Sequence, residues 1–141
     1  MEQRSSKKIL IIYSDFYNEV SKELLKGAEL YLKNKNISFE KKRVQGSLEI
    51  PFILQKFKHK FSGFVVLGCI IKGETDHYDV VKDICLREIY SLVYKNCIPL
   101  GCGILTVDNM KQALERADLK KKNLGAAAAA ACFNLINIIE G

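Results

Sequence analysis

The sequence predicts an α/β fold, a three-layer αβα sandwich in which helices cover both faces of a four-stranded parallel sheet. Short apolar runs typical of buried strands alternate with segments whose apolar residues recur every three or four positions, as in amphipathic helices. The order of these segments is βαβαβαβαα, and every strand is followed by a helix, as the crossovers of a parallel sheet require. The length of 141 residues suits a single domain.

The first half of the chain predicts two strands and two helices. Residues 8–13 read K-I-L-I-I-Y, a buried strand. The helix that follows carries apolar side chains at three- and four-residue spacing, namely Val20, Leu24, Ala28 and Tyr31. Residues 37–44 alternate loosely and are rich in lysine, which is typical of an edge strand. Pro51 suits the first turn of a short helix that ends near Lys58.

The central unit spans residues 63–80. It begins with the apolar run Phe64–Leu67, which predicts a strand buried on both faces. Gly68 and Gly73 indicate a loop that turns sharply or comes close to a ligand. Polar residues then lead into a helix predicted over about 77–95. A strand, a glycine-containing loop and a helix start predict a binding site at the carboxyl end of a parallel strand.

The last third predicts one strand and two helices. The strand covers residues 98–105, and a short helix over 109–117 is predicted to be capped by Asp108. The closing helix, over 126–139, contains six consecutive alanines and is apolar on almost every side. Because a surface helix of a monomer normally shows a polar face, we expect part of this helix to pack against another subunit.

Composition and charge exclude several classes of protein. No apolar run reaches membrane-span length, and residues 1–7 lack the apolar stretch of a signal peptide. Residues 1–7 are expected to form a flexible arm. A cytoplasmic location is expected. The five cysteines have no C-x-x-C spacing, so reduced, buried thiols are predicted and a zinc site is not. The net charge of +6 comes from lysine clusters without interleaved aromatics, so solvated surfaces are favoured over nucleic acid binding.

Four loops should converge on one edge of the sheet, because the carboxyl ends of parallel strands meet there. They carry the candidate site residues Phe16, Ser47, Leu48, Glu49, Lys72, Glu74, Thr75, His77, Thr106 and Asp108. His77 is the natural candidate for proton transfer, since imidazole titrates near neutral pH; local hydrogen bonding at a helix start is the alternative. Glu74 and Thr75 at that helix start could bind an anion or simply cap the helix.

The other candidates also have a structural alternative. Phe16 could stack on a flat ring or belong to the core, and Glu49 could bind a polyol or amine or remain a solvated carboxylate. Lys72 could form a Schiff base if burial lowered its pKa. Cys69 could pair with His77 as a nucleophile, although packing at the end of a strand is favoured. Arg116 could clamp a phosphate or stabilise the end of its helix.

Four segments, in the same order along nearly the whole chain, resemble the lumazine synthase (6,7-dimethyl-8-ribityllumazine synthase) family. They read L-L-K-G-A-E, G-S-L-E-I-P-F, L-G-C-I-I-K-G-E-T-D-H-Y-D and G-I-L-T-V-D-N-M-K-Q-A-L-E-R-A. The resemblance implies a flavodoxin-like subunit in a pentamer or a larger assembly of pentamers, with active sites between neighbours. It also implies condensation of 5-amino-6-(D-ribitylamino)uracil with 3,4-dihydroxy-2-butanone 4-phosphate, without a metal or organic cofactor, and leaves riboflavin synthase open as a partner.

The resemblance also implies roles for individual residues. His77 would donate and accept protons, and Arg116 of a neighbouring subunit would bind the phosphate together with Glu74 and Thr75. The pyrimidine and its ribityl chain would contact Phe16, Ser47, Leu48, Glu49, Cys69, Ile70 and Ile71.

Three positions depart from the family's pattern. Tyr17 replaces an asparagine, Cys102 stands where an aromatic residue often closes the site from the neighbour, and Leu124 replaces a lysine. Two alternatives to an enzyme remain open. One is a flavin- or lumazine-binding module that does not need His77, and the other is an assembly protein that retains the fold as a shell.

Overall fold

Four parallel strands form the centre of the molecule, in the order β2-β1-β3-β4. We describe them from a computed structural model, which covers residues 7–74 and 76–141. The sheet pairs are all parallel, and β2 and β4 are its edges, as predicted for β2. This strand order is that of flavodoxin-like folds. The strands are β1 (Lys8–Ser14), β2 (Ser38–Val44), β3 (Gly63–Ile71) and β4 (Leu100–Val107).

Each strand is followed by a helix, which confirms the predicted order of elements. A single 3₁₀ turn, Ser47–Glu49, lies in the segment predicted as a loop, and Pro51 stands in the first turn of its helix as expected. The predicted flexible arm lies outside the described residues except for Lys7, whose Nζ is 2.6 Å from Glu140 Oε1. The helices are α1 (Asn18–Asn34), α2 (Ile50–Phe57), α3 (Tyr78–Asn96), α4 (Met110–Ala117) and α5 (Leu124–Glu140).

The sheet divides the core into two layers, because successive side chains of a strand point to opposite faces. Ile9 and Ile11 of β1 pack with α1, α4 and α5, whereas Leu10 and Ile12 pack with α2 and α3. Every residue of β3 is buried, as expected for a central strand covered on both faces. The prediction of a three-layer α/β sandwich is therefore confirmed.

Helix α5 lies unusually close to its neighbours. A Cβ at Gly101 would clash with the carbonyl of Ala128, and one at Gly125 would clash with the carbonyl of Leu24. The absence of side chains at these positions lets α5 approach both β4 and α1. The outer surface at its end remains apolar, with Leu135, Ile138 and Ile139 respectively 39%, 74% and 64% exposed. Among the described residues, no helix has the length and hydropathy needed to cross a membrane.

Four local predictions need correction. Strand β4 covers Leu100–Val107 and not residues 98–105. Strand β3 continues through Gly68 to Ile71, because its later residues pair with β4 as far as Val107, so the loop begins at Lys72. The cap of α4 is Asn109 and not Asp108, since Asn109 Oδ1 accepts a hydrogen bond of 2.9 Å from the backbone of Gln112. Helix α5 begins two residues earlier than predicted.

Candidate active site

A pocket of about 290 Å³ opens at the carboxyl edge of the sheet. The loops that follow β1 and β2 form two of its walls, the end of β3 forms its floor, and the first turn of α3 closes one side. Two of the four segments predicted to meet at this edge, those that carry Phe16 and Ser47–Glu49, line the pocket. The lining residues are Phe16, Tyr17, Gly46, Ser47, Leu48, Glu49, Cys69, Ile70 and Val81.

The loop after β1 supplies an aromatic wall. Phe16 is 66% exposed, so the alternative that it belongs to the core is wrong. Its ring lies nearly perpendicular to that of Tyr17, with centroids 5.0 Å apart and an interplanar angle of 87°. An exposed ring at the mouth of a pocket offers a surface on which a flat ligand can stack.

Contacts with the end of β2 hold this loop in place. Arg43 Nη1 lies 3.1 Å from both carboxylate oxygens of Asp15, the residue that precedes Phe16. The backbone N–H of Asp15 donates to the carbonyl of Val44 at 3.3 Å. Ser14 Oγ donates to the carbonyl of Gln45 at 3.2 Å. The two loops therefore form one connected wall.

The loop after β2 is organised by Glu49. Its Oε1 accepts hydrogen bonds from the backbone N–H groups of Gln45 at 2.9 Å and Gly46 at 3.1 Å. These two hydrogen bonds orient the carboxylate. Glu49 is nevertheless exposed, as expected if it were a solvated carboxylate. Ser47 is buried, and its carbonyl accepts a hydrogen bond of 3.3 Å from the thiol of Cys85 on α3. Leu48 is 46% exposed.

The end of β3 forms the pocket floor. A Cβ at Gly68 would come within 3.1 Å of Ser47 Oγ, so glycine lets the loop lie directly on the strand. Burial, with a smaller contribution from the Glu74 carboxylate, raises the pKa of the Cys69 thiol to about 12. A neutral thiol is a poor nucleophile, which argues against a pair of Cys69 with His77. The side chain of Ile71 is buried in the core layer under α1, α4 and α5.

His77 lies at the start of α3, beside the pocket but not among its lining residues. It is exposed, and its backbone is left-handed, with φ at 57° and ψ at 40°. Its carbonyl accepts the N–H of Val81, the lining residue one helical turn further on, at 3.0 Å. Non-glycine residues with positive φ are uncommon and often occur at functional sites.

The loop between β3 and α3 is tied to the end of β4. The N–H of Lys72 donates to the carbonyl of Val107 at 2.8 Å, and that of Gly73 donates to Asp108 at 3.2 Å. Lys72 and Glu74 are both exposed, so Lys72 lacks the burial that Schiff-base chemistry would need. Thr75 lies outside the described residues.

Three further predicted residues, on β4 and α4, lie away from this pocket. Arg116, on α4, is half-buried, and within the described parts of the chain its guanidinium has no hydrogen bond or ion pair. Cys102, on the edge strand β4, packs with Tyr90 in the layer under α2 and α3. Burial raises the pKa of the Cys102 thiol. Thr106 also lies on β4 and does not line the pocket.

Sequence reasoning missed several contributors. Val81 lines the pocket, and its position one turn after His77 is the signal that could have revealed it. The ion pair between Asp15 and Arg43 joins residues far apart in sequence and gives no local signal. Within residues 7–74 and 76–141, no three His, Cys, Asp or Glu side chains lie together as metal ligands would.

A parallel α/β sandwich with a pocket at the carboxyl edge of its sheet is a flavodoxin-like protein arranged to hold a compact ligand. Comparison with known families then identifies it. The model of the family "6,7-dimethyl-8-ribityllumazine synthase" matches residues 6–140. The chain therefore belongs to the 6,7-dimethyl-8-ribityllumazine synthase family.

Individual relatives agree with this assignment. A 6,7-dimethyl-8-ribityllumazine synthase of Bartonella bacilliformis is 44% identical over 131 residues, covering 89% of this chain and 86% of the relative. The protein of the same name from Paramagnetospirillum magneticum is 38% identical over 140 residues, covering 93% of each chain. That of Limosilactobacillus reuteri is 38% identical over 136 residues, covering 94% of this chain and 90% of the relative.

Proposed function

We propose that this protein is a lumazine synthase, a transferase that acts in the penultimate step of riboflavin biosynthesis. It condenses 5-amino-6-(D-ribitylamino)uracil with 3,4-dihydroxy-2-butanone 4-phosphate to give 6,7-dimethyl-8-ribityllumazine, phosphate and water. The observation that carries the proposal is the pocket wall, in which an exposed Phe16 and the loop 46–49 lie together beside the end of β3. Membership of the family supplies the reaction.

The pocket provides for both parts of the pyrimidine substrate. The flat ring stacks on Phe16 and lies against the backbone of Cys69, Ile70 and Ile71 at the end of β3. The ribityl chain is held by Ser47, Leu48 and Glu49, whose loop is fixed by two backbone hydrogen bonds to Glu49 Oε1. A loop that is already ordered loses little conformational freedom when the substrate binds.

His77 moves the protons. The amine of the pyrimidine attacks the ketone of the second substrate, water leaves to give a Schiff base, and phosphate is eliminated. The ribitylamino nitrogen then attacks the remaining carbonyl, and the ring closes with loss of a second water. Each of these steps transfers a proton, and the imidazole side chain can donate a proton in one step and accept one in another. Exposure of His77 beside the pocket, at the start of α3, supports this role.

The phosphate is bound between two copies of the chain. Glu74 and Thr75 of one copy bind it, and Arg116 comes from its neighbour. Arg116 lies outside the pocket of its own chain and has no partner among the described residues, which supports a role in another copy. Cys102 of the neighbour would take the position from which that copy closes the ring pocket.

This shared site requires a homo-oligomer, and we propose an assembly built from pentamers of single-domain subunits. The apolar surface at the end of α5, with Ile138 and Ile139 more than half exposed, supports burial against another subunit. Light scattering should report at least five subunits. A charge at Ile138 should reduce both the mass of the assembly and its activity. A cytoplasmic location remains a prediction from the sequence, and contact with riboflavin synthase remains a prediction from the family resemblance.

The deciding experiment mixes the purified protein with both substrates and follows lumazine absorbance, with His77→Ala as the comparison. Wild-type turnover that falls in this variant supports the enzyme. Binding of lumazine or riboflavin without turnover would indicate the binding module instead. Assembly with neither binding nor turnover would indicate the shell protein.

A further inference from the structure

The pocket wall contains a second ring whose surroundings differ from those of Phe16. Tyr17 also lines the pocket, but it is only partly exposed and packs against the core layer that contains α1. Phe16, in contrast, is 66% exposed. The two rings meet edge to face, 5.0 Å apart and at 87°.

The position of Tyr17 at the start of α1 does not explain why its side chain is aromatic. Tyr17 precedes the first turn of α1, with φ at −105° and ψ at 90°, and its side chain makes no capping hydrogen bond to the helix. Its ring can therefore be replaced without removing a helix cap. The contact of this ring with Phe16 lies in the pocket wall, because both side chains line the pocket.

An edge-to-face pair favours one arrangement of the two rings over others by roughly two- to tenfold beyond simple burial. For an exposed side chain such a preference matters, because its rotamers otherwise interchange rapidly in solvent. Perpendicular packing also leaves at least one face of the Phe16 ring open, and a flat ligand needs that face for stacking.

We propose that Tyr17 is a positioning residue, which fixes the ring of Phe16 in the orientation that stacks on the pyrimidine substrate. The inference rests on the proposed function for the identity of that substrate. Tyr17 acts through its ring, not through its hydroxyl, and it acts on binding of the pyrimidine, not on the proton transfers or on the phosphate.

The test compares Tyr17→Phe, which keeps the ring, with Tyr17→Leu, which keeps an apolar side chain but removes the ring. Tyr17→Leu should raise KM and Kd for ribitylaminouracil about three- to tenfold, while kcat and KM for the butanone phosphate change less than about twofold. Tyr17→Phe should keep KM, Kd and kcat at their wild-type values. Tyr31→Leu is the matched control, because Tyr31 also lies on the α1 segment and forms an edge-to-face pair, with Phe133, outside the pocket.

A double-mutant cycle separates positioning from direct contact. Because Tyr17 acts through Phe16, Tyr17→Leu should have almost no further effect in a Phe16→Leu background. An undiminished effect in that background, or equal damage from Tyr17→Phe, would overturn the proposal. Kd, measured by calorimetry, decides the question separately from turnover: if the wild type binds the pyrimidine but makes no lumazine, only the proposed function fails. If it binds no pyrimidine, both fail.

Discussion

The ring half and the phosphate half of the proposed site differ in how much of each a single chain builds. The ring half, consisting of Phe16, Tyr17, residues 46–49, Cys69 and Ile70, forms a continuous pocket. Its loops are joined by the Asp15–Arg43 ion pair and by the backbone hydrogen bonds to Glu49. Its floor is a fully buried strand.

The phosphate half consists of Glu74, Thr75, His77 and Arg116. Glu74 and His77 are exposed, and Arg116 lies on α4, outside the pocket of its own chain. Electrostatic stabilisation of a phosphate is strongest where water is excluded, and an exposed surface does not provide that. Under the proposed function, ring binding would therefore be a property of the folded chain, whereas catalysis would be a property of the assembly.

Among the variants, the largest effect on turnover should come from His77, which belongs to the phosphate half. His77→Ala should lower kcat by about 10²–10⁴-fold, the usual contribution of general acid–base catalysis, and leave Kd for the pyrimidine unchanged. Steady-state kinetics and calorimetry measure the two quantities. His59→Ala is the matched control, because His59 is the other histidine and lies exposed after α2. Unchanged turnover in His77→Ala would remove it from the mechanism.

Arg116 should give the next largest effect. A charged hydrogen bond to phosphate is worth ~1.5–3 kcal/mol, so Arg116→Ala should raise KM for the butanone phosphate roughly ten- to a hundredfold. KM for the pyrimidine should stay nearly constant, because the ring half lies within the other chain. Arg87→Ala, which changes an exposed arginine of α3, serves as the control. Equal effects on both substrates would mean that Arg116 is structural.

Mixing variants tests directly whether the phosphate half is shared. Chains carrying His77→Ala and chains carrying Arg116→Ala should each be weak alone. If they are unfolded, mixed and reassembled in equal amounts, about a quarter of the sites in a cyclic assembly should combine an intact His77 with an intact Arg116. Activity should then rise toward a quarter of that of the wild type. Activity no greater than the sum of the two variants would place the site within one chain.

Glu49 tests how far the ring half depends on its own hydrogen bonds. Glu49→Ala removes the acceptor for two backbone N–H groups, so the loop should loosen and KM for the pyrimidine should rise about three- to tenfold. Glu49→Gln retains a carbonyl acceptor and should have a smaller effect. Glu40→Gln, on the exposed surface of β2, is the control. A wild-type KM in Glu49→Ala would show that the loop holds its shape without this side chain.

The sequence allowed the ring half to be predicted much better than the phosphate half. Apolar runs and helical spacing located all four strands, and a parallel sheet then brings the loops with Phe16 and Glu49 to one edge. Continuation of β3 through Gly68 was missed, because glycine also marks turns. Here it is required by the close approach of Ser47.

Features that depend on distant contacts could not be predicted in the same way. Nothing local to Asp15 indicates that Arg43, on another strand, will pair with it. Tyr17 was noted only as a departure from a family pattern, whereas its contact with Phe16 is a matter of side-chain packing. A neighbouring copy that completes a site leaves no periodic signal in the chain, so the contribution of Arg116 to a neighbour's site rested on the resemblance alone.

The smallest effect concerns the buried thiols, one of which forms the floor of the ring half. Burial raises the pKa values of Cys69, Cys85 and Cys132 to about 12, whereas Cys97 is exposed. Since only the thiolate reacts with iodoacetamide, these three should be labelled at least ~10-fold more slowly than Cys97 at pH 8. Mass spectrometry of the peptides measures this. Labelling of Cys69 as fast as that of Cys97 would contradict a closed, preformed floor.

The same pKa shifts make stability depend on pH in a defined direction. An unfolded thiol titrates near pH 9, while a folded one with a pKa of about 12 stays protonated, so above pH 9 the native state binds more protons than the unfolded state. The contribution to stability is complete below about pH 9 and is lost as the pH rises toward 12. The urea concentration at the unfolding midpoint should therefore decrease as the pH is raised from about 8.5 to about 10.5. Cys132→Ala should lessen that fall, whereas Cys97→Ser, at an exposed position, should not. A midpoint that is constant over this range would mean that the buried thiols ionise as easily in the folded chain as in the unfolded one, and the ring half would then be open to water.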